Sequence, residues 1–154
     1  MPNVEARLTE LGIKLPEPAT PLAAYVGFVR TGDLLFVSGQ VPLLDGELMM
    51  TGRLGDDLSL EDGQKAARQC AINILAQVRV ACEGHWDRVE RCVRLGGFVA
   101  CTPDFAQHPQ VINGASELMG EVLGDRGAHA RAAVGVAALP RGVPVEVDAV
   151  FSMK

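Results

Sequence analysis

Arg131, Glu146 and Asp148 stand inside apolar runs in the last third of the chain, and charged residues in such runs need a reason. With period two, Arg131, Ala133, Gly135 and Ala137 share one strand face. A guanidinium above a floor of Ala and Gly is a seat for a carboxylate, because arginine offers a planar fork of donors. Glu146 can orient or activate a water. Ser38 and Asn113 can hydrogen-bond a polar substrate, and Tyr25 can wall the site. Asn113 lies mid-helix, where asparagine is a poor helix former, so a contact rather than propensity would place it there. Glu146 and Asp148 also fit a plain solvated sheet face, and Asn113 a plain exposed position. The chain shows no nucleophile–base pair, phosphate loop or metal constellation. This inventory suits hydrolysis of a compound that is already reactive and needs little catalytic power.

The elements that must hold these residues begin with two apolar runs, Ala128 to Ala138 and Val143 to Phe151, around Pro140-Arg141-Gly142. Pro and Gly there fit a type I turn, so the runs read as an antiparallel strand pair. Val134 and Val136 read as core, as do Val143, Val145, Val147, Ala149 and Phe151. In that hairpin Arg131 faces Val150 and Glu146 faces Gly135. The two would share a face four positions apart, roughly 13 Å at strand rise. A small carboxylate substrate with one water would bridge part of that gap, or a neighbouring subunit would supply one of the two residues.

Upstream, Asn3 caps a short helix to Leu11, and three prolines between Ile13 and Pro21 make an extended connector. Strands are expected over Ala23–Arg30 and Leu34–Ser38, with Ser38-Gly39-Gln40 at the end of the second. Gly39 there allows close approach of the backbone to a ligand, although a plain strand-end turn would look the same. Leu48–Met50 reads as a short edge strand. Ser59 and Asp62 make a capping-box start for a helix from Leu60 to Cys82. Its Ala67, Cys70, Ala71, Ile74, Leu75 and Val78 form an apolar stripe. Val89–Cys101 is a strand in which Gly96-Gly97 suggests a bulge. Pro109 opens a second helix to about Leu123. The class is α+β, with two main helices packed on one face of a mixed β-sheet.

With 154 residues, the length fits one domain, and 48% hydrophobic with 21% charged residues is a globular composition. A net charge of −5 argues against general binding to nucleic acid or anionic membranes. No apolar run reaches bilayer-spanning length, and the first residues lack the blocks of a signal peptide, so a cytoplasmic protein is expected. Cys70, Cys82, Cys92 and Cys101 lack Cys-x-x-Cys spacing and read as free buried thiols.

Four stretches together resemble the Rid family, the reactive intermediate deaminases, also called YjgF-like proteins. They are Tyr25-Val26 before a strand, Val37-Ser38-Gly39-Gln40, Asn113 on the second helix, and Arg131 opening a small-residue strand before Leu139-Pro140 and Val145-Glu146-Val147-Asp148-Ala149. The resemblance runs from about Ala23 onward. It divides the chain into an N-terminal extension, residues 1–22, and a Rid-like domain, residues 23–154. It implies a chorismate-mutase-like fold and a homotrimer with sites between subunits. It also implies hydrolysis of enamines and 2-imino acids to 2-keto acids and ammonia, without a cofactor or metal. Arg131 would hold the substrate carboxylate and Glu146 would handle water and ammonia. Tyr25, Ser38, Gly39, Asn113 and Ala133 would line the pocket.

The chain departs from the family pattern in places. Ala133 stands where the family often has cysteine, Ala24 rather than proline precedes Tyr25, and residues are added around His108-Pro109. These departures motivate an alternative, a non-catalytic homotrimer that binds small carboxylates. An RNA-acting or translation-inhibiting role, a label some family members carry, fits the negative charge least.

Overall fold

The computed structural model describes residues 3–18, 21 and 23–154. In chain order the elements are α1 (Val4–Glu10), β1 (Phe28–Thr31), β2 (Leu34–Gln40), β3 (Leu43–Leu44), β4 (Glu47–Leu48), α2 (Leu60–Ala81), β5 (Val89–Ala100), α3 (His108–Leu123), β6 (Ala130–Val136) and β7 (Val145–Met153). Five strands form one sheet in the order β1-β2-β7-β5-β6, and β3 and β4 form a small separate hairpin. The β5–β6 pair is parallel and the other pairs are antiparallel, so the sheet is mixed as expected.

The helices start and stop where side-chain chemistry tells them to. Ser59 Oγ accepts from the Asp62 N–H at 3.1 Å, and the Asp62 carboxylate accepts from the Ser59 N–H at 3.0 Å. This reciprocal cap contributes about 1 kcal/mol to α2. Gly124 ends α3 in a left-handed conformation, φ 62. Both long helices bury their stripes on the same sheet face, against Leu35, Leu95, Val145, Val147 and Phe151. Helix α1 joins this core through Val4 and Leu8. It is tied on by Arg7 Nε donating to the Glu121 carbonyl and Trp86 Nε1 donating to the Glu5 carboxylate. Among the described residues the other sheet face carries no helix, and Val29, Phe36 and Val134 are exposed there.

The expected hairpin does not form. Strand β6 pairs in parallel with β5, Leu95 beside Arg131, while β7 lies on the other edge of β5, Leu95 beside Ala149. Burial explains the choice: β7, apolar on its inner face throughout, takes the sheet centre and β6 takes the edge. Pro140–Gly142 is a single turn of 3-10 helix with Arg141 and Gly142 at positive φ, at odds with a type I turn. The faces of β6 are also reversed from expectation. Its Arg131-Ala133-Gly135 face turns toward α3, and Val134 is exposed. The small residues there let the helix approach: a Cβ on Gly135 would lie 2.6 Å from His108 Nε2.

Smaller boundaries move too. The first strand starts at Phe28, leaving Tyr25 and Val26 in the segment before it, and the Leu48–Met50 strand is Glu47–Leu48. Gly96 and Gly97 pair regularly with Asp148 and Val147, and the register shifts of β5 fall between Val89 and Arg91 and between Cys92 and Arg94. All four cysteines are free and buried. Among the described residues no helix is long and apolar enough to cross a membrane.

Candidate functional site

Arg131 is held from α3. Its Nη1 donates to Asn113 Oδ1 at 2.8 Å and to Ser116 Oγ at 3.1 Å, and its Nη2 donates to the Pro109 carbonyl at 3.3 Å. Asn113 therefore sits mid-helix because its side chain fixes the guanidinium. Ser116 is fixed in turn by His129, whose Nε2 lies 2.8 Å from Ser116 Oγ. His129 Nδ1 lies 2.6 Å from the Gly127 carbonyl, which can only accept. A neutral His129 thus carries its proton on Nδ1, accepts a hydrogen bond from the Ser116 hydroxyl at Nε2, and leaves the Ser116 lone pairs to Arg131. Two guanidinium nitrogens are oriented this way, in front of an open groove that Ser116, His129 and Asp125 also line. Ala133, the next residue on the same face, packs against the core edge.

Glu146 belongs to a different cleft. A cavity of about 350 Å³ is lined by Tyr25, Ser38, Gly39, Gln77, Arg141 and Glu146, among others. Gly39 makes room for the carboxylate: a Cβ there would lie 2.9 Å from Glu146 Cδ and 3.0 Å from Oε2. Burial, with the neighbouring Asp148 carboxylate, holds the Glu146 carboxyl above its usual range. Ser38 donates its hydroxyl to the Val26 carbonyl at 2.6 Å, which pins the Tyr25–Val26 segment to β2 and sets the tyrosine at the cleft wall.

The two charged groups do not meet within one chain. Arg131 sits beside Leu95, whose side chain is buried against the helices, and Glu146 sits beside Phe98, one pleat of the opposite parity. They therefore project from opposite faces of the sheet, with β5 between their strands. Three residues along and two strands across place their backbones roughly 14 Å apart. The shared face expected from the hairpin register is overturned, because the register ran through a pairing that does not exist. Of the seven residues expected at the site, Arg131, Asn113 and Ala133 gather at the α3 side. Tyr25, Ser38, Gly39 and Glu146 gather in the other cleft.

Four residues escaped the sequence reading: Ser116, His129, Gln77 and Arg141. Ser116 was findable, since it lies three positions after Asn113 and so on the same helix face. Gln77 interrupts the apolar stripe of α2 and is buried, a signal that stripe-reading passes over.

Comparison with known proteins agrees with this architecture. A family model described as "YjgF/chorismate_mutase-like, putative endoribonuclease" matches residues 5–145. Protein TCP17 of Trypanosoma cruzi is 48% identical over 152 residues, 98% of this chain and 94% of that protein. RutC family protein y4sK of Sinorhizobium fredii is 31% identical over 129 residues, 84% of this chain and 86% of that protein. The crystal structure of protein Atu1372 from Agrobacterium tumefaciens, of unknown function, superposes with a TM-score of 0.92 at 47% identity. That match covers 98% of this chain and 92% of the other.

Proposed function

Starting from the fact that the chain belongs to the YjgF-like, or Rid, family, we propose that it hydrolyses reactive 2-imino acids and their enamine tautomers to 2-keto acids and ammonia. The sites would lie between neighbouring subunits of a homotrimer. The observation that carries this reading is the split: an oriented guanidinium on one sheet face and a half-buried carboxylate on the other, each facing open space. A helix-free sheet face bearing Val29, Phe36 and Val134 gives a second copy something to cover. Three copies around an axis would set the Arg131 edge of one against the Glu146 cleft of the next.

In such a site Arg131 binds the substrate carboxylate through the donors that α3 leaves free, Nε–H and the second Nη2–H, and Asn113 and Ser116 keep the fork in place. Glu146, ionised, takes a proton from water as the water oxygen bonds to the imine carbon. The C=N π electrons pass to nitrogen, which takes that proton from Glu146 and leaves the carboxylate ionised again. The carbinolamine then collapses: Glu146 takes the hydroxyl proton as the ketone forms and passes it to the amine, the C–N bond breaks, and ammonia leaves. The raised pKa suits a group that must take and return a proton. Tyr25 walls the cleft and Gly39 gives the carboxylate its place. The step needs water and no cofactor.

Subunit mixing tests this. Arg131→Ala and Glu146→Gln should each be inactive in ammonia release from freshly generated 2-iminopropanoate. Unfolded and refolded together in equal amounts, they should regain activity, because random assembly joins an intact Arg131 to an intact Glu146 at about one site in four. No regain from mixed trimers would overturn the shared site. Carboxylate binding without turnover by the wild type would move the assignment to a non-catalytic binder.

A further inference from the structure

Gln77 has no evident structural task. It is 4% exposed, lies on the buried side of α2, and makes no side-chain hydrogen bond to a described residue. Its neighbours on the helix are different: Gln69 donates to Asn73, and Asn73 donates to the Val41 and Leu43 carbonyls. The Gln77 carboxamide lies at the wall of the Glu146 cleft, against Gly27. A Cβ on Gly27 would stand 2.6 Å from its Oε1, so glycine there keeps the amide in place. An amide at a cavity wall has a donor and an acceptor to offer a ligand.

Arg141 lines the same cleft. Its backbone is left-handed, φ 59 and ψ 16, a conformation that favours glycine. Among the described residues its guanidinium makes no ion pair. The cleft, about 350 Å³, is within the range that holds drug-sized ligands and exceeds what a three-carbon imino acid fills.

We infer that Gln77 and Arg141 form a second subsite in this cleft, for an anionic group at the far end of the substrate, and that the preferred substrates are 2-imino dicarboxylic acids. This rests on the hydrolytic reading above and adds to it the class of side chain accepted. Arg131 would take the carboxylate next to the imine, Glu146 would work at the imine carbon, and Arg141 with the Gln77 amide would take the distal carboxylate. A monocarboxylic imino acid would leave the amide and the guanidinium unpaired, which is how a polar site rejects an analogue.

The test compares kcat/KM for ammonia release from freshly generated 2-iminoglutarate and 2-iminobutanoate in wild type, Arg141→Gly and Gln77→Met. Arg141→Gly suits the left-handed backbone, so folding is not at issue. The wild type should prefer 2-iminoglutarate on the order of tenfold or more, and both variants should bring the ratio close to one. Equal turnover of both compounds in all three proteins would overturn the subsite. If neither compound is turned over, thermal melting with 2-oxoglutarate against 2-oxobutanoate decides separately. Stronger stabilisation by 2-oxoglutarate, lost in Arg141→Gly, would keep the subsite while the hydrolytic reading falls. No difference between the two acids would overturn the subsite as well.

Discussion

Gly39→Ala isolates the position of Glu146 from its identity. The residue is not in the left-handed region, so alanine suits the backbone. The new methyl would meet Glu146 Cδ at 2.9 Å and Oε2 at 3.0 Å, against 3.4–4 Å for ordinary contact. The carboxylate is the flexible end of a side chain and can retreat by roughly half to one ångström, at small cost to stability. Catalysis is less forgiving, since a misplacement of about 1 Å can cost on the order of 100-fold in rate. We therefore expect kcat for imino-acid hydrolysis to fall between about 10- and 100-fold, with the melting temperature nearly unchanged. KM should change little, because Arg131 holds the carboxylate from elsewhere. Ammonia release under saturating substrate, alongside a thermal melt, measures both. Wild-type kcat in Gly39→Ala, with Glu146→Gln inactive, would refute the view that this glycine sets the working position of the carboxylate.

Other perturbations reach different parts of the site. Asp148→Asn removes the carboxylate beside Glu146, so the acid limb of the pH–rate profile should move to lower pH, read from kcat between pH 4 and 7 at roughly half-unit steps. Glu146 also links pH to stability. Its folded pKa is raised, so the native state binds the proton more readily, and stability should fall as pH rises through that raised range; Glu146→Gln should abolish this dependence in urea melts. Ser116→Ala removes one acceptor from Arg131 and the partner of His129, and should raise KM several-fold with kcat less affected, whereas Ser116→Thr should retain most of the affinity. Burial raises all four thiols, Cys92 up to about 12, but Cys101 is 9% exposed and the other three are fully covered, so a disulfide reagent should label Cys101 first in the native protein and the other three on unfolding.

The parts of the fold governed by local chemistry were legible in the sequence. The Ser59–Asp62 cap, the stripes of α2 and α3 and the Val-rich inner face of β7 follow from spacing alone, and all stand in the structure. What misled was the short connection between β6 and β7. A Pro-Arg-Gly turn between two apolar runs is a hairpin signal, and here it joins strands that both pair with β5. Strand adjacency is a global property, and neither run says which partner buries it better. The same error put Arg131 and Glu146 on one face, since every face assignment passes through the register. Arg131 and Glu146 themselves stood out as charges within apolar runs. Gln77 and Arg141 did not, because a glutamine in a helix and an arginine in a turn look ordinary until burial and backbone angles are known.

The place of β7 bears on how the protein is made. It is the last of the five strands to be synthesised, yet it lies at the middle of the sheet, between β2 and β5. Until it arrives, β1–β2 and β5–β6 are two separate ribbons with unpaired inner edges, and the helices cover apolar surface that has no common floor. The nascent chain must hold these pieces apart from one another and from other chains while translation proceeds. Folding is then closed by one late insertion that satisfies two edges together, with pairings as distant in sequence as Leu34 with Ser152. A chain truncated before residue 145 would display both ribbons, which makes the interval before β7 docks the one in which a chaperone has most to protect.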